Sequence, residues 1–426
     1  MSVKVLKFGG TSVQHAEALA RVRDIVAIRA AAQPCIVVLS ATSGTTDALL
    51  RIARERDVAG VEALRVRHQT IVDQLVPTDE ARAVVNELCD ALASYVRGMY
   101  LLGETTDRSI DEVASYGERL SSSIVAHACA LAGMQASWLD ARSVIRTDNK
   151  HLCATVDMAA VTMLSQEVLL PLLRSHSVVV TQGFIGATAD GITTTLGRGG
   201  SDHSAAILGA AVGANVIEIW TDVSGIYSTD PRIVPDARPI ASMGFDEVRD
   251  LALYGAKVLH PDTIRPAVMS GIPVHVLNTF DPDAGGTVIT AAAPSDRYLN
   301  AAALIQRCTL FTWKGNTTRH TDNVLLFWSY HDGAACVVRT PSDDDVLNAR
   351  VSMAELPHEE HPVAIIAVCG PQASSARAVA SIATAVSDYP VRAVISGVSQ
   401  TTCFVVCDES SAQATLRAIH AQIVQD

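Results

Sequence analysis

The fold of this chain is decided around residues 191–202, which read Gly191-Ile192-Thr193-Thr194-Thr195-Leu196-Gly197-Arg198-Gly199-Gly200-Ser201-Asp202. The stretch holds four glycines, one arginine and four hydroxyl side chains, and an apolar helical run follows at residues 205–212. Glycine lets the backbone approach a ligand closely, and a helix start offers unpaired N–H groups to an anion. The stretch therefore predicts an anion-binding loop, in which the guanidinium group of Arg198 can form two parallel hydrogen bonds to a carboxylate or phosphate. Composition alone leaves an ordinary polar turn as the alternative.

A second glycine loop lies near the amino terminus, in Lys7-Phe8-Gly9-Gly10-Thr11-Ser12. An apolar run precedes it and a helical pattern follows, so the predicted order is strand, glycine loop and helix start, which can cradle phosphates. It is not a loop of the Gly-x-x-x-x-Gly-Lys type, because the chain contains no Gly-Lys pair. Lys7 is the candidate cation for a transferring phosphate, and Gly9 and Gly10 are candidate backbone donors.

Apolar, β-branched runs alternate with helical patterns as far as residue 290. This alternation predicts an α/β fold with a mainly parallel sheet covered by helices on both sides. Polar residues follow these runs, and in open α/β sheets ligands bind beyond the carboxyl ends of the strands. The predicted strands are residues 3–8, 35–39, 137–139, 178–180, 216–220 and 273–277, with Lys7, Ser40, Asp140, Thr181, Gln182, Thr221, Asp222 and Asn278 at their exits.

Length and composition narrow the class of protein. A chain of 426 residues exceeds what one core supports, so we expect two or three domains. The net charge of -12 argues against a nucleic-acid surface but not against anionic substrates, which a local group of cations can bind. No apolar run reaches the ~18 residues of a membrane helix and no signal peptide is recognisable, so we expect no membrane partner and a cytoplasmic protein.

Five further motifs accompany the two glycine loops. They are Ser115-Tyr116-Gly117-Glu118-Arg119-Leu120, Gln182-Gly183-Phe184-Ile185-Gly186, Trp220-Thr221-Asp222-Val223-Ser224-Gly225-Ile226-Tyr227, Asp230-Pro231-Arg232 and Gly255-Ala256-Lys257-Val258-Leu259-His260-Pro261. Together the motifs resemble the aspartate kinases of the amino acid kinase superfamily, over most of residues 1–290. The resemblance implies the amino acid kinase fold for residues 1–290 and ATP-dependent phosphorylation of the side-chain carboxylate of L-aspartate. It also implies ATP and Mg²⁺ as cofactors, the metal being held chiefly through the nucleotide phosphates.

The resemblance also implies roles for individual residues. Lys7 and Asp202 are expected to be catalytic, and Asp202 or Asp222 is the candidate carboxylate for Mg²⁺. Arg198 suits the α-carboxylate of an amino acid and Glu118 its ammonium, because each pair is opposite in charge. The substrate is expected among Ser40, Thr46, Glu118, Phe184, Thr195, Arg198 and Ser201, and the nucleotide at Gly9, Gly10, Thr221, Asp222, Tyr227, Arg232 and Lys257.

The remainder of the chain follows a linker-like stretch at residues 290–296. Residues 363–426 read as βαββα, with strands at 363–368, 391–395 and 402–406 and helices at 374–386 and 412–423. This α+β pattern resembles an ACT domain, the small-molecule-sensing module that follows the catalytic domain in aspartate kinases.

Residues 297–362 read as a degenerate first ACT-like domain. Only the polar stretch 314–322 separates the strands predicted at 308–313 and 323–328, which is too short and too rich in turn residues for the family's first helix. We therefore expect reduced or absent feedback by lysine and threonine, and a homodimer formed through the ACT-like domains.

Two other functions stay open at this point. One is a paralogous kinase of another amino acid or small carboxylate in a specialised pathway, and the other is a non-catalytic subunit that senses amino acids or nucleotides. A metal site at His358-Glu359-Glu360-His361 is not expected, because the histidines are three apart instead of four and prolines flank the motif.

Overall fold

The computed structural model describes residues 2–255, 259–291, 297–314, 324–330, 332–342, 345–346, 349 and 358–425. The chain divides into two compact units, unit 1 (Met1–Ile226 with Leu259–Ala291) and unit 2 (Tyr227–Val258 with Ala292–Asp426). In the described residues the helices are α1 Ala16–Ala30, α2 Thr45–Glu55, α3 Gly60–Leu75, α4 Asp79–Leu102, α5 Asp107–Leu131, α6 Met158–Leu164, α7 Leu170–Ser175, α8 Gly200–Val212, α9 Phe245–Leu253, α10 Pro261–Met269, α11 Ala376–Ala385 and α12 Ala412–Gln425. The strands are β1 Lys4–Phe8, β2 Cys35–Leu39, β3 Ala136–Leu139, β4 Val178–Gln182, β5 Ile185–Ala187, β6 Thr193–Thr195, β7 Val216–Thr221, β8 Ser242–Gly244, β9 Val274–Asn278, β10 Thr287–Thr290, β11 Ala301–Lys314, β12 Val324–Tyr330, β13 Gly333–Arg339, β14 His358–Cys369, β15 Val391–Ile395 and β16 Thr402–Asp408.

Unit 1 is built on a parallel sheet in which the strands run in the order β3-β4-β2-β1-β7-β9. Leu6 and Phe8 of β1 pack in one core with residues of α1 and α5, while Val5 faces α8 on the other side. Strands covered on both faces read as continuous apolar runs, and β2 and β4 are buried along their whole length. The six predicted strands are confirmed to within two residues at their ends.

The register of this sheet aligns the carboxyl ends of four strands, β4, β2, β1 and β7. Phe8 lies opposite Leu39 of β2 and Trp220 of β7, and Leu39 in turn lies opposite Gln182 of β4. The segments that follow these four residues therefore leave the sheet side by side, at the edge where ligands of open α/β sheets bind.

Helix α5 approaches the loop after β2 unusually closely. A Cβ built on Gly117 would lie 2.7 Å from the Cβ of Ala41, so only glycine fits at this point. The helix begins with a capping box between Thr106 and Ser109, which fixes its start. The close approach places Glu118 beside the exit of β2.

The hairpin of β5 and β6 was not predicted from the sequence. Ile185 pairs with Thr195 and Ala187 with Thr193, so the middle of the opening stretch is a strand, not a loop. Three-residue strands carry too little alternation to be recognised by period, although three successive β-branched residues favour extended backbone.

Unit 2 contains an antiparallel sheet with strand order β12-β13-β11-β14-β16-β15. Helices α11 and α12 cover one face, where Ile382 and Leu416 join Ile366 and Val405 in one core. The predicted βαββα order is confirmed by β14, α11, β15, β16 and α12. Strand β13 was missed, because its first four residues, Gly-Ala-Ala-Cys, lack a clear strand pattern. The described helices include none that is both long and apolar enough to span a bilayer.

Strands β11 and β14 are long and pair with each other in two segments, on either side of a register shift. The register of their pairing shifts between Ile305 and Cys308, and Arg307 at the shift has a φ of 58°. The predicted domain boundary at residues 362 and 363 falls inside β14, and the division into 1–290, 297–362 and 363–426 stays a prediction. The stretch 315–323 between β11 and β12, where the missing helix was predicted, lies outside the described residues, as does 292–296 of the linker.

Candidate active site

A cavity of about 540 Å³ opens where β1 and β2 end. The first turns of α2 and α8 and the side chain of Glu118 on α5 also form its wall. A second cavity of about 300 Å³ shares Thr46, Phe184, Gly197 and Arg198 with the first and has Thr195 in its wall. The larger cavity brings together ten of the predicted site residues: Lys7, Gly9, Gly10, Ser40, Thr46, Glu118, Phe184, Arg198, Ser201 and Asp202.

The loop before α8 has the backbone that its glycines suggested. Gly197 and Gly199 have φ values of 75° and 72°, in the left-handed region that glycine favours. Gly199 is the N-cap of α8, so the helix begins at Gly200 in the cavity wall. A Cβ on Gly200 would lie 2.8 Å from Cδ2 of Phe184, which shows how closely this backbone packs. The predicted loop and helix start at the cavity are therefore confirmed.

The amino-terminal glycine loop differs from its prediction in one respect. Gly9 and Gly10 line the cavity, but Gly10 begins a 3₁₀ turn that ends at Val13, and α1 begins only at Ala16. The backbone N–H of Gly9 donates to the carbonyl of Trp220 at 3.3 Å, which ties the loop to the exit of β7. A short 3₁₀ turn before an α-helix is common, and apolar spacing does not distinguish the two.

Lys7 and Asp202 form an ion pair inside the cavity. Lys7 Nζ lies 2.6 Å from Asp202 Oδ1, and both side chains are largely buried. Oδ1 is shielded from solvent and has no aligned hydrogen bond among the described groups, so the contact is a charge pair of poor hydrogen-bond geometry. Asp202 sits in the first turn of α8, where the helix dipole also favours its negative charge.

Glu118 is a buried carboxyl with one oxygen that lacks a hydrogen bond among the described groups. Its Oε1 accepts from the backbone N–H of Ala41 at 3.2 Å, whereas Oε2 is buried without a partner. Burial raises the pKa of Glu118 to about 8, and the bond from Ala41 opposes this only in part. A buried carboxyl of this kind ionises at neutral pH only when a cation lies beside it, and the cavity in front of Glu118 can admit an ammonium group.

Four of the seven residues predicted around the substrate line the second cavity, namely Thr46, Phe184, Thr195 and Arg198. Arg198 is exposed and lines both cavities, as do Thr46 and Phe184. Phe184 has a φ of 68°, rare for a non-glycine residue, and its N–H donates to Ser204 Oγ at 3.0 Å while its carbonyl accepts from Leu196. Strained backbone of this kind is retained where the surroundings hold it in place, often at functional sites.

Four of the predicted nucleotide contacts, all among the described residues, do not line these cavities: Thr221, Asp222, Tyr227 and Arg232. Thr221 and Asp222 lie at the end of β7 in unit 1, with Thr221 Oγ1 donating to Asp222 Oδ1 at 3.1 Å. Tyr227 and Arg232 belong to unit 2, where Arg232 pairs with Asp230. Their contact with a nucleotide stays a prediction, and Lys257 lies outside the described residues.

Two carboxylates at these cavities were not singled out from the sequence. Asp47, in the first turn of α2, lines the larger cavity, and Asp111 of α5 lines the smaller one. Asp111 precedes Glu118 by two helical turns, so the two share one face of α5. The spacing of seven residues was the sequence feature that could have indicated Asp111. Two acidic residues seven apart are, however, common on solvent-exposed helix faces, so the spacing does not predict that Asp111 is buried.

The polar residues that follow β3 and end β4 have structural roles. Asp140 pairs with Arg142 at 2.6 Å within its own loop, and Gln182 at the end of β4 accepts from the backbone N–H of Ala141, so both residues stabilise the loop that follows β3. His358 and His361 lie on β14, an extended strand. Within the part of the chain that the structure describes, no three or more His, Cys, Asp or Glu side chains are grouped to hold a metal ion.

Residues 2–278 match the model of the amino acid kinase family, and the chain belongs to that family. Within it, the chain is a member of the aspartokinases, which are phosphotransferases. It is 34% identical to lysine-sensitive aspartokinase 3 of Escherichia coli (strain K12), with 99% of each chain covered, and 32% identical to an aspartokinase of Chlamydia pneumoniae, with 90% of this chain and 89% of the relative covered.

The structural comparison agrees over the whole length. Aspartokinase III of E. coli in complex with lysine and aspartate (T-state) superimposes with a TM-score of 0.85 at 32% identity, covering 99% of both chains. The R-state of the same protein, in complex with aspartate and ADP, gives a TM-score of 0.78 at 31% identity, covering 99% of this chain and all of that one. The predicted family and fold class, an α/β amino acid kinase fold followed by α+β ACT-like domains, are thus confirmed.

Proposed function

We propose that this protein phosphorylates the side-chain carboxylate of L-aspartate with ATP, giving 4-phospho-L-aspartate, the first step of aspartate-family amino acid biosynthesis. Its E. coli relative has been solved with aspartate and ADP, which supports both substrates. The observation that carries the proposal is the layout of charge in the larger cavity. Glu118 has a buried carboxyl group with one oxygen that lacks a hydrogen bond among the described groups, while Arg198 and Lys7 provide positive charge. An amino acid with a second carboxylate complements this layout, with its ammonium at Glu118 and its α-carboxylate at Arg198.

The reaction depends mainly on holding the two substrates in position, because no covalent intermediate with the protein is needed. An oxygen of the side-chain carboxylate bonds to the γ-phosphorus while the bond from phosphorus to the β–γ bridging oxygen breaks, and ADP leaves with that electron pair. No proton needs to move, because the nucleophile is already ionised at neutral pH. Lys7 would leave Asp202 for the transferring phosphoryl group, where negative charge is spread over three oxygens.

The backbone of the two glycine loops would supply further donors to the phosphates. Gly9, Gly10 and the start of α8 line the same cavity as Lys7, so N–H groups and the ammonium would act on one anion. Asp202, one of the carboxyl groups in this cavity, would hold Mg²⁺ once Lys7 turns to the phosphate, and Asp222 after β7 is the alternative. Bound with the nucleotide, the metal would neutralise charge on the phosphates.

The activity is tested by turnover of ATP with a panel of amino acids and small dicarboxylates, trapping the acyl phosphate with hydroxylamine. The proposal expects L-aspartate to give the largest kcat/KM and a hydroxamate of aspartate. A higher kcat/KM for another acid would favour the specialised kinase, and binding of aspartate or ATP without ADP release would favour a sensing subunit.

The finer part of the proposal concerns regulation and assembly. Nine residues separate the end of β11 from the start of β12. The alignment with the lysine-sensitive relative spans 452 positions against 426 residues here, so at least 26 positions of the relative have no counterpart. We propose that the first ACT-like module is shortened and that feedback by lysine and threonine is therefore reduced or absent. We further propose a homodimer formed through the ACT-like modules, which are residues 297–362 and 363–426 beside a catalytic module at 1–290.

A further inference from the structure

Asp111 is a fully buried carboxylate surrounded by three donors, none of which is a lysine or an arginine. Thr195 Oγ1 donates to Oδ1 at 2.6 Å, the backbone N–H of Leu152 lies 3.1 Å from Oδ2, and His151 Nδ1 lies 2.7 Å from Oδ2. Leu152 has a φ of 66°, a conformation that a leucine rarely adopts. The loop therefore accepts backbone strain at the residue whose N–H reaches the carboxylate.

The same loop supports the residues that face the substrate. The N–H of Ala154 donates to the carbonyl of Thr195 at 2.9 Å. A Cβ built on Gly197 would lie 3.2 Å from the carbonyl oxygen of Leu152, so the loop also packs against the backbone next to Arg198. Asp111 thus connects three segments: helix α5, the loop around residues 151–154 and strand β6.

The bond from Thr195 decides what this hydroxyl can offer to a ligand. A threonine hydroxyl has one hydrogen and two lone pairs, and an ionised carboxylate can only accept. Because the hydrogen of Thr195 is committed to Asp111, only its lone pairs can interact with a molecule in the cavity. At neutral pH both carboxylates of aspartate are acceptors, and its ammonium is its strong donor.

We infer that Asp111 is a positioning residue that fixes Thr195 as a hydrogen-bond acceptor for the α-ammonium of the amino acid substrate. The inference rests on the proposed function and makes it more specific. The ammonium would be recognised where the two cavities adjoin, by the free oxygen of Glu118 from the larger cavity and the lone pair of Thr195 from the smaller one. A dicarboxylate without an ammonium would leave both acceptors unpaired, so Asp111 contributes to the choice of an amino acid over a simple dicarboxylate.

The test compares L-aspartate with succinate, which lacks the ammonium, using hydroxylamine trapping in the full-length protein. In Thr195→Val and Asp111→Asn we expect the KM for aspartate to rise on the order of tenfold, with the KM for ATP unchanged. The preference for aspartate over succinate should narrow by a similar factor. Thr195→Ser keeps the hydroxyl and should restore both values.

His151→Asn is the matched control, because it alters the other side of Asp111 without touching Thr195. It should keep the preference for aspartate, even where it lowers the unfolding temperature. An unchanged preference in Thr195→Val would overturn the inference, whether or not Asp111→Asn folds. A folded Asp111→Asn with normal aspartate kinetics would overturn it equally. A wild-type protein without aspartate turnover would instead refute the proposed function.

Discussion

Lys7 Nζ and Asp202 Oδ1 lie 2.6 Å apart across the cavity, so each neutralises the other before any phosphate is bound. The pair joins the end of β1 to the first turn of α8, the two segments predicted to hold phosphate. The ammonium of Lys7 therefore already lies beside the predicted phosphate site. Its contact with Asp202 must break when the nucleotide binds.

Replacement of Lys7 by alanine should chiefly lower kcat. The ammonium is expected to act on charge that is spread over the phosphoryl group in the transition state, and loss of such a contact typically costs about 10²- to 10³-fold. Steady-state kinetics with ATP and aspartate varied separately provide the measurement, with Lys7→Arg as the control that keeps the charge. A rise confined to the KM for ATP would make Lys7 a ground-state ligand of the nucleotide.

Removal of the Arg198 side chain should raise the KM for aspartate and lower kcat/KM by about 10²-fold, since a charge-assisted bidentate pair is worth up to about 3 kcal/mol. The side chain is exposed at the cavity mouth, so the fold should tolerate Arg198→Ala. Arg198→Lys should recover only part of the loss, because a point charge cannot form two parallel bonds. If Arg198→Ala binds aspartate normally, the assignment fails.

Glu118 should make the stability of the substrate-free protein depend on pH. Its folded pKa of about 8 exceeds the ordinary 4.5, so the folded state holds a proton that the unfolded chain releases. The stabilisation is complete below about pH 4.5 and is lost as the pH rises through about 8. Glu118→Gln should therefore gain stability relative to wild type between pH 5 and 8, measured by urea unfolding. The exposed Glu62→Gln should show no such trend, and equal trends in both variants would refute the role of burial.

Gly183→Ala should impair catalysis by displacing the start of α8. The added Cβ would lie 2.7 Å from the Cα of Ser201, and backbone cannot move aside as a side chain can. A displacement of about 1 Å can cost on the order of 10²-fold in rate. Gly98→Ala in α4 is the control, since its Cβ meets nothing within 4 Å and should stabilise the helix by about 0.5–1 kcal/mol. Full activity of Gly183→Ala would show that the contact is not needed.

Kinase activity should respond weakly or not at all to L-lysine and L-threonine. Inhibition requires a site whose ligand distinguishes two global states, and the interval of nine residues between β11 and β12 is too short for the helix that would complete it. Titration of activity with each amino acid up to millimolar concentration is the measurement. Strong inhibition by either one would mean that the shortened module still forms an effector site.

The strands and helices of unit 1 could mostly be predicted, because they depend on patterns within short segments of the sequence. Strands buried on both faces read as apolar runs, and the residues that leave them, such as Lys7 and Ser40, share one edge by necessity of parallel register. The glycines at 197 and 199 were informative for the same reason, since their positive φ values exclude most other residues.

The rest depended on contacts between distant segments. Asp111 and His151 are forty residues apart, and nothing in the sequence around either indicates that they meet. The free oxygen of Glu118 is likewise a property of the folded interior, because Glu118 lies on α5 and its other oxygen bonds to Ala41, which follows β2. Sequence patterns place side chains on faces, whereas burial and hydrogen-bond satisfaction arise only when the faces are brought together.

The bulge in β11 has a consequence for how this protein can be divided. Ala301–Ile305 of β11 pair with one half of β14, and Cys308–Trp313 pair with the other half. A chain cut between residues 362 and 363 would sever β14 in the middle and leave each fragment with a strand edge that its neighbour normally covers. A truncated version of this region therefore needs both β11 and β14 intact.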